Sequence, residues 1–156
     1  RAEEEGGLMS VGTLLDPVTR EAVVSRLRRV TADTKPAWGQ LDAPRMLCHL
    51  ADQLRVAVGD LPTRSADSFL GRTLVKWLVI GTSVKAPRGK VMTAPEMLSS
   101  SPSSWSEDLA ACEALIARVS AGEAHAEHPM FGPLTTPQWG RLCWKHLDHH
   151  LRQFGQ

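Results

Sequence analysis

Three of the six histidines in this 156-residue chain fall within five positions, His146, His149 and His150, in the segment "CWKHLDHHLRQFG" near its end. Imidazole titrates near neutrality and binds transition metals through either ring nitrogen, so such a cluster points to proton or metal chemistry. A helix turns about 100° per residue. With His146 at zero, His150 falls at about 40° and Gln153 at about −20°, while Cys143, Trp144, Leu147, Leu151 and Phe154 occupy an apolar arc from about 60° to about 160°. Arg141, Lys145, Asp148 and Arg152 gather at about 200° to 260°, the solvated side. His146 and His150 thus project side by side along the border of a buried face, the spacing by which one helix offers two nitrogens to one metal ion.

A third ligand must come from another element. In "LDAPRMLCHLADQLRVAVGD", His49 also borders an apolar arc, made by Met46, Leu47, Leu50, Leu54 and Ala57, with Gln53 about 40° away. If this helix packs on the last one, His49, His146 and His150 converge. Three histidines leave a coordination position open for water or substrate, an arrangement suited to catalysis. Imidazole alone does not select the divalent metal, and zinc or nickel stand ahead of iron or manganese. Gln53 and Gln153 share the histidine stripes and can orient a ligand or meet substrate, and Cys143 is close enough in angle to line a pocket wall.

Plainer roles compete for the same residues. An isolated His49 would be a packed, hydrogen-bonded core histidine, and the HxxHH cluster could be a pH-sensitive surface patch. His149, at about −60°, fits that patch or a supporting place beside the site, and a small helix rotation would exchange it with His150 as ligand. His125 and His128 lie in a loop and are not counted as ligands. Cys48 faces Asp52 and Arg55 on the polar side of its helix and is not counted either.

The elements that would position these residues are helical. Asp16 and Pro17 open a first, short helix with Val23, Val24, Leu27 and Val30 at helical spacing. Asp42 and Gly59 bound the second helix. A third is expected over "SADSFLGRTLVKWLVIGTS", burying Phe69, Leu70, Leu74, Trp77, Leu78 and Ile80. "VKAPRGKVMTAPEMLSSSPSS" reads as a long connection. In the fourth helix Trp105, Leu109, Cys112, Ile116 and Val119 form one stripe. The last helix is expected to start with Thr136 as N-cap and Pro137 as first helical residue, and to stop at Gly155. No strand-like alternation competes, so the fold class is all-α: a four-helix bundle with an additional short leading helix and a long connecting loop.

Composition narrows the partners. A net charge of +1 gives no basic field for nucleic acid, and no tyrosine and only three phenylalanines argue against a base-stacking surface. The longest apolar run, "LVKWLVIG", is too short and too interrupted to span a bilayer. Cys48, Cys112 and Cys143 are dispersed singly, without CxxC spacing, and read as core residues in a reducing cytoplasm. The opening "RAEEEGG" lacks an apolar face. Residues 1–12 are expected to be a disordered leader and 13–156 a single domain.

The combination of a histidine in "MLCHLADQLRVAVGD" with a terminal "KHLDHHLRQFG" resembles the DinB/YfiT-like superfamily of metalloenzymes. Within it, the chain is similar to a DinB-like branch of unknown function carrying "HPMFG"-type and "HHLRQFG"-type segments, here His128 to Gly132 and His149 to Gly155. The likeness spans about Leu14 to Gly155. It implies a four-helix bundle in which His49, His146 and His150 bind a divalent metal, and homodimers. Related members are thiol-dependent S-transferases or a mycothiol-dependent isomerase.

The expected function is a metal-dependent transferase that activates a low-molecular-weight thiol, since no nucleophile elbow, Cys–His pair or phosphate loop is evident. A metal-dependent hydrolase, a non-catalytic metal- or ligand-binding stress-response module, and a bundle whose histidines only pack are the alternatives.

Overall fold

The computed structural model describes residues 11–66, 68–85, 88 and 94–156. Five α-helices follow in order: α1 Pro17–Arg29, α2 Ala43–Val58, α3 Lys76–Gly81, α4 Trp105–Ser120 and α5 Thr136–Gln153. A π-helical turn, Gly71–Val75, leads into α3, and a 3₁₀ turn, Pro95–Leu98, lies before α4. Among the described residues the chain is all-α, with an isolated bridge between His128 and Gly132 in place of any strand. None of these helices is long and apolar enough to cross a membrane.

Local chemistry sets the helix ends. Asp16 Oδ2 accepts the Thr19 amide at 2.7 Å and Asp42 Oδ1 the Arg45 amide at 2.9 Å, each with proline in the first turn. Gly59, at φ 83°, closes α2 in the left-handed conformation. α5 starts one residue earlier than the sequence reading has it. Thr135 is the N-cap, and its pairing with Gln138 makes a reciprocal capping box, so Thr136 and Pro137 are already helical.

Thirteen of the sixteen α2 residues are buried, which makes it the central helix. It packs along α4 and against α5, while α1 lies on α5 and α4. Leu27, Leu50, Leu54, Ile116 and Leu147 meet in the core at no more than 1% exposure, each contributing roughly 1.5–3 kcal/mol by leaving water. Asp148 receives both Arg26 and Arg152, at 2.8 and 2.9 Å, which fixes α5 against α1. The α4 stripe is as expected: Cys112, Ile116 and Val119 are buried, with Trp105 and Leu109 packed beside them. All three cysteines are free and buried.

Other expectations change as well. The short accessory helix is the third, not the first: α1 runs thirteen residues and α3 six. The side of α3 expected to be buried faces outward, with Phe69 at 84% and Trp77 at 63% exposure and Leu70, Leu74 and Leu78 also exposed; only Ile80, at 3%, is buried as expected. The inward face is instead Gly71, Val75, Val79 and Ile80. Gly71 lies so close to the Met130 carbonyl that a Cβ would meet it at 2.7 Å, and Lys145 of α5 donates to the carbonyls of Val79, Thr82 and Val84. Lys145 thus caps the end of α3 rather than joining a solvated sector. Of the leader expected over 1–12, residues 1–10 lie outside the described residues. Val11 and Gly12 are half-buried, and the ring of Trp144 fills the space a Cβ on Gly12 would need.

Candidate metal centre

His49 from α2 meets His146 and His150 from α5 in the interior. The ring centroids stand 4.6 Å (His49–His146), 4.9 Å (His49–His150) and 4.8 Å (His146–His150) apart. One nitrogen from each ring lies within 4.8 Å of the other two, and among the described residues no other three His, Cys, Asp or Glu side chains group in this way. His49 is 3% exposed, His150 is buried and His146 is partly buried. The separate stripes on two helices therefore do converge.

Hydrogen bonds fix two of the three tautomers. His49 Nδ1 lies 2.8 Å from the Met97 carbonyl oxygen, which can only accept, so Nδ1 carries the proton and the Nε2 lone pair is bare. Gln153 Nε2 donates to the Trp38 carbonyl at 2.7 Å, which turns Gln153 Oε1 toward His150 Nδ1 at 2.8 Å. His150 Nδ1–H donates to it, and again Nε2 is bare. His146 Nε2 then stands 2.8 Å from His49 Nε2, and its own Nδ1 is buried with no partner. Without a cation His146 Nε2–H must donate to His49, leaving Nδ1 as an unpaired buried acceptor, which costs about 1–3 kcal/mol. With a cation taking all three Nε2 lone pairs, the His146 proton would sit on Nδ1, which stays buried without a partner, so the gain would lie at the three Nε2 atoms alone. Donor type, bare lone pairs and backing by a carbonyl and an amide all fit a divalent metal.

Electrostatics favours the same state. Burial pushes His49 below the usual imidazole range against the Met97 hydrogen bond, which acts the other way. Burial, reinforced by the neighbouring His49, brings His150 down to about 3. His146 is held well below the usual value by burial and then by His150 and His49. All three rings are neutral at pH 7, so protons do not compete for the ligand nitrogens.

The surrounding residues take distinct places. His149 is half-buried beside the cluster, its ring 5.1 Å from His150 and 6.3 Å from Trp38, with Nδ1 buried and unpartnered. It is His150, not His149, that joins His49 and His146. Gln53 is buried beside the Cys143 thiol, and its Oε1 has no partner. Burial pushes the Cys143 thiol up to about 12, so it stays protonated. His128 is buried elsewhere: it stacks on Phe131 at 4.4 Å, its Nδ1 accepts the Met130 and Phe131 amides, and burial lowers it to about 4. His125 is exposed in the loop. Cys48 is buried and, as expected, lies on the side of Arg55, where it lines a cavity of about 260 Å³ with Leu47, Ala51, Arg55, Ser100 and Asp108 that shares no residue with the histidines.

Sequence reasoning missed the groups that hold the ligands. Met97 sits in what reads as a featureless connection, yet its carbonyl orients His49. Asp52, one turn along α2, is 1% exposed and takes the Ser100 amide at 3.0 Å together with the Ser100 hydroxyl and Arg55, pinning that segment down. Trp38 contributes a backbone carbonyl. A buried acid one turn after a candidate histidine was the available signal for the Asp52 anchor; nothing local marks Met97 or Trp38.

A family model described as "Protein of unknown function (DUF1569)" matches residues 15–156. No curated protein matches the chain, and no solved structure matches it.

Proposed function

The chain belongs to the DUF1569 family, a family of unknown function, so its chemistry must be read from its own residues, and we propose a DinB/YfiT-type four-helix metalloprotein that activates a small thiol for transfer to an electrophilic carbon. The observation that carries this reading is the convergence of His49, His146 and His150 in the interior, with Nε2 left bare on His49 and His150. Three protein ligands leave room for one exchangeable partner, the pattern of catalytic rather than structural sites. A divalent cation at this point, zinc or nickel ahead of iron or manganese, supplies the acidification of a thiol or water.

The chain's own residues do the rest. Met97 and Gln153 hold the ligand rings in one tautomer. Leu50, Leu147 and Leu151, each the residue after a candidate ligand, are fully buried in the core and anchor the two helices that carry the rings. Cys143, protonated and buried, is not a nucleophile, so the attacking sulfur belongs to the substrate. In the transfer an S–C bond forms as the bond from carbon to its leaving group breaks, and the thiol proton passes to solvent.

We extend the reading to a homodimer through the outward face of α3. Phe69, Leu70, Leu74, Trp77 and Leu78 expose apolar surface on the order of 600 Å², near the about 800 Å² per partner of a stable interface and at the limit of what a monomer leaves uncovered.

Metal content of the purified chain, followed by a thiol panel assayed against 1-chloro-2,4-dinitrobenzene, tests the proposal. About one metal per chain is expected, lost in His49→Ala and His146→Ala, with turnover dependent on it. A metal-free, fully folded protein overturns the metal reading. Stoichiometric metal without thiol transfer leaves a hydrolase or a binding module and overturns the transferase.

A further inference from the structure

We propose that Arg88 and Trp38 form an anion-binding subsite at the edge of the histidine centre, so that the favoured substrate carries a carboxylate or phosphate at the end remote from its reacting atom. This rests on the metal reading above and adds the substrate's charge to it.

Trp38 is tied to the centre twice. Its carbonyl receives Gln153, the residue that orients His150, and its ring stands 6.3 Å from that of His149. The loop is pressed onto that amide: Gly39 has φ 83°, and the Gln153 side chain fills the space a Cβ there would need. The guanidinium of Arg88 lies over the Trp38 ring, 4.1 Å from its centre. Arg88 is exposed and has no acidic partner among the described residues. An aromatic face holds a cation but accepts none of its hydrogen bonds, so the fork of N–H donors stays available to an oxyanion.

The sequence around Arg88 is basic. From Ser68 to Pro95 the sequence contains no Asp or Glu and five basic residues, Arg72, Lys76, Lys85, Arg88 and Lys90. This stretch is anchored beside the centre, because its Val79, Thr82 and Val84 carbonyls bind Lys145, the neighbour of His146. The nearest carboxylate on α5, Asp148, is neutralised by Arg26 and Arg152. Steps of 4.1, 6.3 and 5.1 Å lead from Arg88 through Trp38 and His149 to His150, and limit the ligand to the length of about four or five extended residues at ~3.4 Å each.

The test uses the full chain loaded with cobalt(II), whose sulfur-to-metal charge-transfer band reports thiol binding. The probes are 8-mercaptooctanoate, 8-mercapto-1-octanol and 8-amino-1-octanethiol, thiols of one length with anionic, neutral and cationic ends that fall within this reach. Wild type should bind 8-mercaptooctanoate about tenfold more tightly than 8-amino-1-octanethiol. Arg88→Ala should remove most of that preference, Arg88→Lys keep part of it and Arg88→Glu reverse it. Equal affinities in wild type, or a preference unchanged in Arg88→Ala, overturn the subsite while leaving the metal reading in place. Absence of a cobalt d–d spectrum before any thiol is added overturns both.

Discussion

Replacing Gln153 with leucine removes a side chain that joins two otherwise unconnected parts of the centre. The amide accepts His150 Nδ1–H at 2.8 Å and donates to the Trp38 carbonyl at 2.7 Å, and the residue is 5% exposed. Leucine fills the space and satisfies neither partner. Each buried group left unpaired costs about 1–3 kcal/mol, so the metal-free protein should lose about 2–6 kcal/mol. At roughly 2–4 °C per kcal/mol for a chain of this size, the melting temperature should fall by roughly 5–20 °C. Metal affinity should fall about 10- to 100-fold, or about 1.4–2.7 kcal/mol, because the His150 ring loses the group that fixes its tautomer. Gln153→Glu separates the two effects: a carboxylate still accepts from His150 but cannot donate to Trp38, so stability falls while affinity is largely kept. Calorimetric melting and competition against a chelator of known affinity measure both quantities. A leucine variant that melts lower yet binds metal within twofold of wild type would show that Gln153 supports the fold without orienting the ligand.

Acid should destabilise the metal-free chain with a defined contribution from His128, held at about 4 in the folded protein by burial. Between that value and the unfolded value near 6.5, only the unfolded chain takes up the proton. Stability should therefore fall by about 3 kcal/mol as pH drops through this window, with this contribution fully present above it. Denaturant titrations at pH 7, 6 and 5 should show a shallower dependence in His128→Asn, whose amide oxygen can still accept the two backbone N–H groups. Trp77→Glu should turn the proposed dimer into a monomer in sedimentation velocity while the chain still loads metal as wild type does; a wild type that is monomeric at 100 µM, about the top of the useful range for such interfaces, would refute the pairing. Gly140→Ala should destabilise despite alanine's better helix propensity, by about 1–3 kcal/mol in thermal melts, since its Cβ would meet Thr13 Oγ1 at 2.7 Å and Leu15 at 2.9 Å.

The centre was more legible in the sequence than the molecule around it. Helical spacing places His146 and His150 on one border and His49 on another, and rotation about a helix axis is a local property that survives folding. Which helix receives a given face is not local, and α3 shows the difference. Its apolar residues repeat on schedule around most of the helix, so periodicity cannot choose between the Val75–Val79–Ile80 side and the Leu74–Trp77–Leu78 side, and packing against α5 and Met130 decides. The start of α5 was readable one step better, because Gln138 lies three residues after Thr135 rather than after Thr136, as the capping box requires. The Met97 and Trp38 carbonyls leave no trace in side-chain patterns, since every residue but its neighbours' geometry offers the same acceptor.

The Lys145 clasp and the Asp52–Ser100 clasp bracket the stretch that contains Arg88. Each clasp grips main chain, on one side the Val79, Thr82 and Val84 carbonyls and on the other the Ser100 amide, and so depends little on which side chains lie between. Side chains between the two clasps are therefore open to exchange while the three histidine rings stay in register, which makes the bracket a graft site where new selectivity can be written without rebuilding the centre.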